Sequence, residues 1–207
     1  MNIKKLKQAE RDFLTLFPAG FDDPEMVTIG KKHRVDKMTD LAQSSFTQQH
    51  FETPEWIVES MIKIVGRSSM VSMFEKPKFR DFVKMLPGYE RDMLVNGFEQ
   101  LLHGKQQAGF ETMLSVMQSG KLAKWSLMTI LPVYFHPQRE VFVKPTTAKG
   151  VIKYFELESL DYKPLPSWDF YRIFRESILE MRSMVDASLA PNNAAFTGFL
   201  MMSMGRT

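Results

Sequence analysis

Cysteine is absent from all 207 residues of the chain. That excludes disulfides, thiolate zinc or iron–sulfur centres and a cysteine nucleophile, and it suits a reducing compartment. Long hydrophobic runs are missing too. The most apolar stretch, AAFTGFLMMSM at 194–204, is about half the ~20 residues that a membrane-spanning helix needs. It is expected to form a buried C-terminal helix, and no membrane partner is expected. The opening MNIKKLKQAERDFL lacks the apolar core and small-residue cleavage site of a secretory signal, which points to the cytoplasm. G-x-S-x-G, Walker and G-x-G-x-x-G motifs are all missing, so dinucleotide and nucleotide-hydrolysis chemistry have no local support and no cofactor is called for.

Strand-like segments are few, and helical spacing dominates what is there. Ile3, Leu6, Phe13, Leu16 and Phe17 share a face behind an Asn2 cap. Asp23-Pro24-Glu25 and Thr53-Pro54-Glu55 each offer a capping side chain, a proline for the first helical position and an early acid. The first start leads through Val27 to Leu41 with a break expected at Gly30, and the second runs to Gly66. Further helices are predicted over 78–86, 89–102, 107–117, 122–131 and 147–155. Ser167 caps the clearest one, in which Phe170, Phe174, Ile178, Met181 and Val185 form a core stripe. Pro132, Pro137 and Pro145 forbid a long helix around 132–145, where Glu140-Val141-Phe142-Val143 fits at most one short strand. With no βαβ alternation, the pattern predicts an all-α, mostly antiparallel bundle. It reads as one domain over 1–207, and any subdivision falls near 118–125.

Formal net charge is only +3, but it is unevenly spread: the balance is +4 over 61–80 and +5 over 121–153, against −3 over both 41–60 and 154–189. Each positive block contains one copy of F-x-K-P, Phe74-Glu75-Lys76-Pro77 and Phe142-Val143-Lys144-Pro145, placed before a predicted helix. Such a turn combines free backbone N–H groups, the positive end of a helix and a lysine, which together suit a phosphate. The first turn offers Lys76, Lys78 and Arg80, and the second offers Arg139, Lys144, Thr146, Thr147 and Lys149. The plainer reading has Phe74 and Phe142 anchoring loops in the core beneath solvated lysines.

Other candidates are weaker. Lys31-Lys32-His33-Arg34, with Lys37, could contact a nucleic-acid backbone, although Asp36 and Asp40 dilute it and a solvated helix face is preferred. His33, Asp36 and Asp40 could share a helical face, but without a second histidine there no metal site is assigned. His136, beside Arg139 and Glu140, is the one weak catalytic candidate among four histidines. Glu156, Glu158 and Asp161 form an acidic cluster that reads as a solvated loop. Ser60-x-x-Lys63 lacks companion motifs and is set aside. Trp125, Tyr134, Tyr154, Trp168 and Tyr171 could stack on bases, or simply form the core and its rim. The chain has 16 methionines, most of them on core stripes, while Met201, Met202 and Met204 could serve a homo-oligomer contact.

The run KWSLMTILPVYFHPQREVFVKPTTAKGVI (124–152), Pro166-x-Trp168-x-x-Tyr171 and the terminal PNNAAFTGF resemble a group of uncharacterised bacterial proteins of similar length. The resemblance implies a small bacterial cytoplasmic protein and transfers no activity.

Three functions are therefore in view. The leading one is a non-enzymatic helical protein that binds anions, above all nucleic-acid phosphates, through the two F-x-K-P turns. The second is an enzyme on a small phosphorylated or carboxylated ligand, with His136 as acid–base and Arg139 and Lys144 as clamps. The third is an interaction module built on the Met-rich helices.

Overall fold

Capping side chains and prolines set most of the helix starts. In the computed structural model, which describes residues 1–205, eleven α-helices are joined by loops and three short 3-10 turns, and no strand is present among the described residues. The helices are α1 (Ile3–Leu16), α2 (Pro24–Lys31), α3 (Val35–Ser45), α4 (Pro54–Arg67), α5 (Glu75–Met85) and α6 (Gly88–His103). They continue with α7 (Gln106–Ser119), α8 (Trp125–Phe135), α9 (Pro145–Tyr154), α10 (Trp168–Ser183) and α11 (Asn193–Met204). The protein is all-α. Side-chain oxygens of Asn2, Asp23, Ser167 and Asn192 accept from the N–H groups of Lys5, Glu25, Phe170 and Ala195. Each such cap contributes about 1 kcal/mol. Thr53 departs from expectation: its side chain makes no cap bond, and Pro54 alone marks the start of α4.

Other boundaries shift for identifiable reasons. The break expected at Gly30 lies instead at 32–34, where Arg34 adopts a left-handed φ of 49° between α2 and α3. Helix α5 starts at Glu75 rather than 78, which puts Pro77 in the first turn, where its missing N–H has no intrahelical partner to lose. Helix α8 runs through Pro132 to Phe135. An internal proline costs roughly 3 kcal/mol, and the burial of every residue from 125 to 134 offsets it, since each large apolar side chain contributes about 1.5–3 kcal/mol.

That burial makes α8 the hub. A helix that is apolar all round belongs inside a protein, and α3, α4, α6 and α7 pack around this one. The α6–α7 hairpin closes tightly because two glycines face each other: a Cβ on Gly109 would stand 2.3 Å from the Leu101 N and 2.5 Å from the Gly97 O. On the other side, α11 packs against α9, α10 and α1, with the Phe13 ring edge-on to Phe199 at 5.3 Å. The α10 stripe of Phe170, Phe174, Ile178 and Met181 is buried as expected, while Val185 lies past the helix end and is half-buried. The 140–143 segment has no sheet partner. Two of its N–H groups are taken by side chains, Val141 donating to the Tyr171 hydroxyl at 3.3 Å and Val143 to Thr129 Oγ1 at 3.0 Å.

Candidate anion-binding surface

Each of the two F-x-K-P turns is tied to α8 by one hydrogen bond. Ser126 Oγ donates to Glu75 Oε2 of the first turn at 2.8 Å, and Thr129 Oγ1 accepts the Val143 N–H of the second. Ser126 and Thr129 are three residues apart on one face of the helix, about 4.5 Å along its axis. Polar hydroxyls on a buried helix must find partners, and here each one docks a turn. Lys76 and Lys144 follow directly after the two docked residues.

A third basic segment joins them. Between α4 and α5 the chain is pinned by Ser68, whose hydroxyl shares a 2.9 Å hydrogen bond with the buried Tyr134 phenol, and by Ser69, whose Oγ lies 2.9 Å from His33 Nδ1. His33 also feels Lys144. Burial foremost, then the charges of Lys32 and Lys144, hold its imidazole below the usual value. Lys31, Lys32 and Arg34 are exposed, as the solvated-face reading has it, while half-buried His33 ties the run to Ser69 and lies within reach of the Lys144 charge. Among the described residues no carboxylate oxygen lies within 4.0 Å of the Lys32, Lys76 or Lys144 ammonium.

The remaining predicted residues disperse. Lys78 and Thr146 are exposed and Thr147 is half-buried. Arg80 is paired with Asp81 at 2.8 Å, and the Lys149 ammonium sits 4.9 Å over the Tyr162 ring. Arg139 turns the other way, its Nε donating to Glu140 at 3.1 Å. In the acidic cluster Glu156 holds Lys5 at 2.7 Å and the Asn2 amide at 3.0 Å, so it ties the start of α1 to the end of α9. Glu158 and Asp161 are exposed.

The aromatics fall in the core and its rim, the plainer of the two readings. Trp125, Tyr134 and Tyr171 are buried and bonded, to the Lys163 carbonyl, Ser68 and Glu140 respectively, so they cannot stack on a base. Phe142 is buried as the plainer reading required, but Phe74 is 74% exposed and anchors nothing in the core.

A second polar assembly lies at the other end of the 140–143 segment. Glu140 is 1% exposed and accepts from Tyr171 Oη at 2.7 Å, Arg175 Nη1 at 2.8 Å and Gln106 Nε2 at 2.9 Å. Its backbone carbonyl accepts from Asn193 Nδ2 at 2.9 Å, and Asn193 in turn accepts from Arg182. Burial alone would push the Glu140 carboxyl up. The Arg175 charge and the hydrogen bonds from Tyr171, Gln106 and Arg175 together hold it below the usual carboxylate range. Burial and the adjacent carboxylate push the Tyr171 phenol well up. The Arg175 guanidinium lies 5.6 Å over Trp168 and 5.4 Å over Tyr171. Among the described residues no buried side-chain polar atom of this group is without a partner, and the group joins α7, α10 and α11.

Comparison with known proteins finds no matching family model, no matching curated protein and no matching solved structure. Function must therefore be argued from the site.

The groups of the enzyme reading are only partly together. His136 is half-buried, its Nε2 lies 3.3 Å from the Leu102 carbonyl and its ring packs on Phe135 at 4.5 Å. Burial first, then Arg139 and His103, keep its pKa below the usual value despite Leu102 and Glu140. Arg139 acts on His136 but gives its Nε to Glu140, and Lys144 acts on His33 instead, so only one of the two clamps lies by His136. His33 and Ser69 are a hydroxyl–imidazole pair, but among the described residues no carboxylate bonds to that ring, and two surface hollows lie elsewhere. One hollow runs along the outer side of α1, and the other is lined by Met1, Leu157, Glu158, Ser159, Ser177 and Glu180.

Proposed function

We propose that this is a non-enzymatic helical protein that binds the phosphate backbone of nucleic acid on the surface formed by Lys32, His33, Lys76 and Lys144, with Lys78 and Thr146 at its margin. The observation that carries the reading is the docking of both F-x-K-P turns on Ser126 and Thr129, which gathers cations distant in sequence on one backing helix. Their ammonium groups have no carboxylate within 4.0 Å among the described residues, so their charge is free for a polyanion. Phosphate contact of this kind releases counterions and carries little sequence information.

Fluorescence anisotropy with labelled oligonucleotides, at low and near-physiological salt, tests this. Binding is expected in the range of roughly 10⁻⁴ to 10⁻⁶ M that non-specific contacts give, and to weaken linearly in log–log form with salt. Lys76→Glu/Lys144→Glu should lose it and flatten the salt slope by about 0.7 for each phosphate contact removed from a single strand. Unchanged affinity of that variant at low salt sinks the assignment.

A further inference from the structure

Phe74 is the feature of this surface that phosphate binding leaves unexplained. Its ring is 74% exposed, and so is the neighbouring Met73. Its backbone is nevertheless ordered. Ser72 Oγ accepts the Phe74 N–H at 3.2 Å, the Ser72 carbonyl accepts the N–H groups of Glu75 and Lys76 at 3.0 and 3.2 Å, and Glu75 is tied to Ser126. The ring is therefore presented to solvent from a backbone whose position is already fixed, one residue before the α8 anchor and two before Lys76. Other exposed aromatics lack this setting. Trp56 stacks on His50 and gives its indole N–H to the Ser45 carbonyl. Tyr89 is followed two residues on by Arg91, but that guanidinium is engaged by the Leu86 carbonyl and Glu55, so that cation does not stand unpaired beside the ring.

We infer that the surface takes single-stranded nucleic acid, with one base stacked on Phe74 while Lys76, Lys144 and Lys32 follow the phosphates. The inference rests on the backbone reading above and adds to it a preference for strands whose bases are unpaired. A positively charged track beside an aromatic platform is the arrangement that holds single strands without reading sequence, because every base offers a π-face. A duplex keeps its bases stacked inside and offers Phe74 nothing, so it gains only the charge term. Order in the platform before binding lowers the entropic cost of using it.

The experiment compares three probes of equal length: oligothymidine, an abasic single strand and a duplex. They are titrated against the wild-type chain, Phe74→Ala, Phe74→Leu and Lys76→Glu/Lys144→Glu. Phe74→Ala should weaken oligothymidine binding roughly tenfold or more, leave the abasic strand and the duplex unchanged, and keep the salt slope. Phe74→Leu, apolar but without a π-face, should fall with Phe74→Ala. Because the side chain is exposed, neither replacement disturbs the core.

Equal oligothymidine affinity for wild type and Phe74→Ala overturns the stacking inference while the charge-reversal variant still reports on the backbone reading. No binding of any probe by the wild-type chain removes both. If sedimentation shows a dimer that Phe74→Ala dissociates while oligothymidine affinity is unchanged, the ring is a contact between copies and the inference fails.

Discussion

Removing the Glu140 carboxylate should be the most damaging single polar change in this protein. In Glu140→Ala the Arg175 guanidinium, only 12% exposed, loses both carboxylate oxygens, and the Tyr171 hydroxyl and Gln106 amide lose their acceptor. Breaking one side of a buried ion pair costs about 3–5 kcal/mol. Arg175 keeps Gln106 Oε1 at 3.2 Å and the faces of Trp168 and Tyr171, which argues for the lower end, about 3 kcal/mol. For a chain of this length that lowers Tm by roughly 6–12 °C. Urea denaturation followed by circular dichroism measures it directly. The double variant Glu140→Leu/Arg175→Met removes both charges and should recover most of the loss. The Glu140 pKa is lowered on folding, so the stabilisation is present above the carboxyl's unfolded value and lost as pH falls through the folded one; the penalty of Glu140→Ala should shrink in acid. A cost below about 1 kcal/mol, the size of an exposed ion pair, or a double variant no better than the single, would refute the reasoning.

Further outcomes follow from close contacts and shifted groups. Gly109→Ala must push α6 from α7 and should destabilise by more than about 2 kcal/mol, whereas Gly30→Ala, with nothing within 4 Å, should be neutral or stabilise by up to about 1 kcal/mol; thermal melts distinguish them. Thr129→Val keeps the shape but strands the buried Val143 N–H, for a loss of about 1–3 kcal/mol in urea and weaker oligonucleotide binding through Lys144. NMR titration should find the His33 pKa below that of a free histidine, moving up in Lys144→Met and up again when an oligonucleotide binds. His33 and His136 are both lowered on folding, so their contribution to stability holds above about pH 6.5 and falls away as pH drops towards the folded values.

The legible part of the fold was the local part. Asn2, Asp23 and Ser167 cap the helices they precede because a cap needs only the next three residues. The stripe of α10 is readable for the same reason, since its spacing alone assigns the face. Errors came where tertiary burial overrode a local rule. Pro132 reads as a breaker, yet the hub position of α8 carries the helix through it. Phe74 and Phe142 share a motif and look alike in sequence, but Phe142 belongs to a stretch buried from Glu140 to Val143 whereas Phe74 follows exposed Ser72 and Met73.

The site was harder to see, and the reason is the kind of residue that assembles it. Charge marked Lys76 and Lys144, but charge has no direction along a chain and cannot say that two blocks meet. Each turn is tied by one hydroxyl, Ser126 or Thr129, to the most apolar helix of the protein. Ser126 gives the readable signal: a hydroxyl inside a buried apolar helix needs a partner and Ser126 finds it in Glu75, whereas Thr129 already donates to the Trp125 carbonyl one turn back and accepts the Val143 N–H in addition. Glu140 carried the same signal, a lone carboxylate before Val141-Phe142-Val143, all three buried. The segment between Glu140 and Lys144 is thus held at both ends by obligatory hydrogen bonds, to Arg175 and Tyr171 at one and to Thr129 at the other. Lys144 is presented by a rigid arm although it lies outside any helix, and that is what a charge on a binding surface requires if its ordering is not to be charged against every ligand.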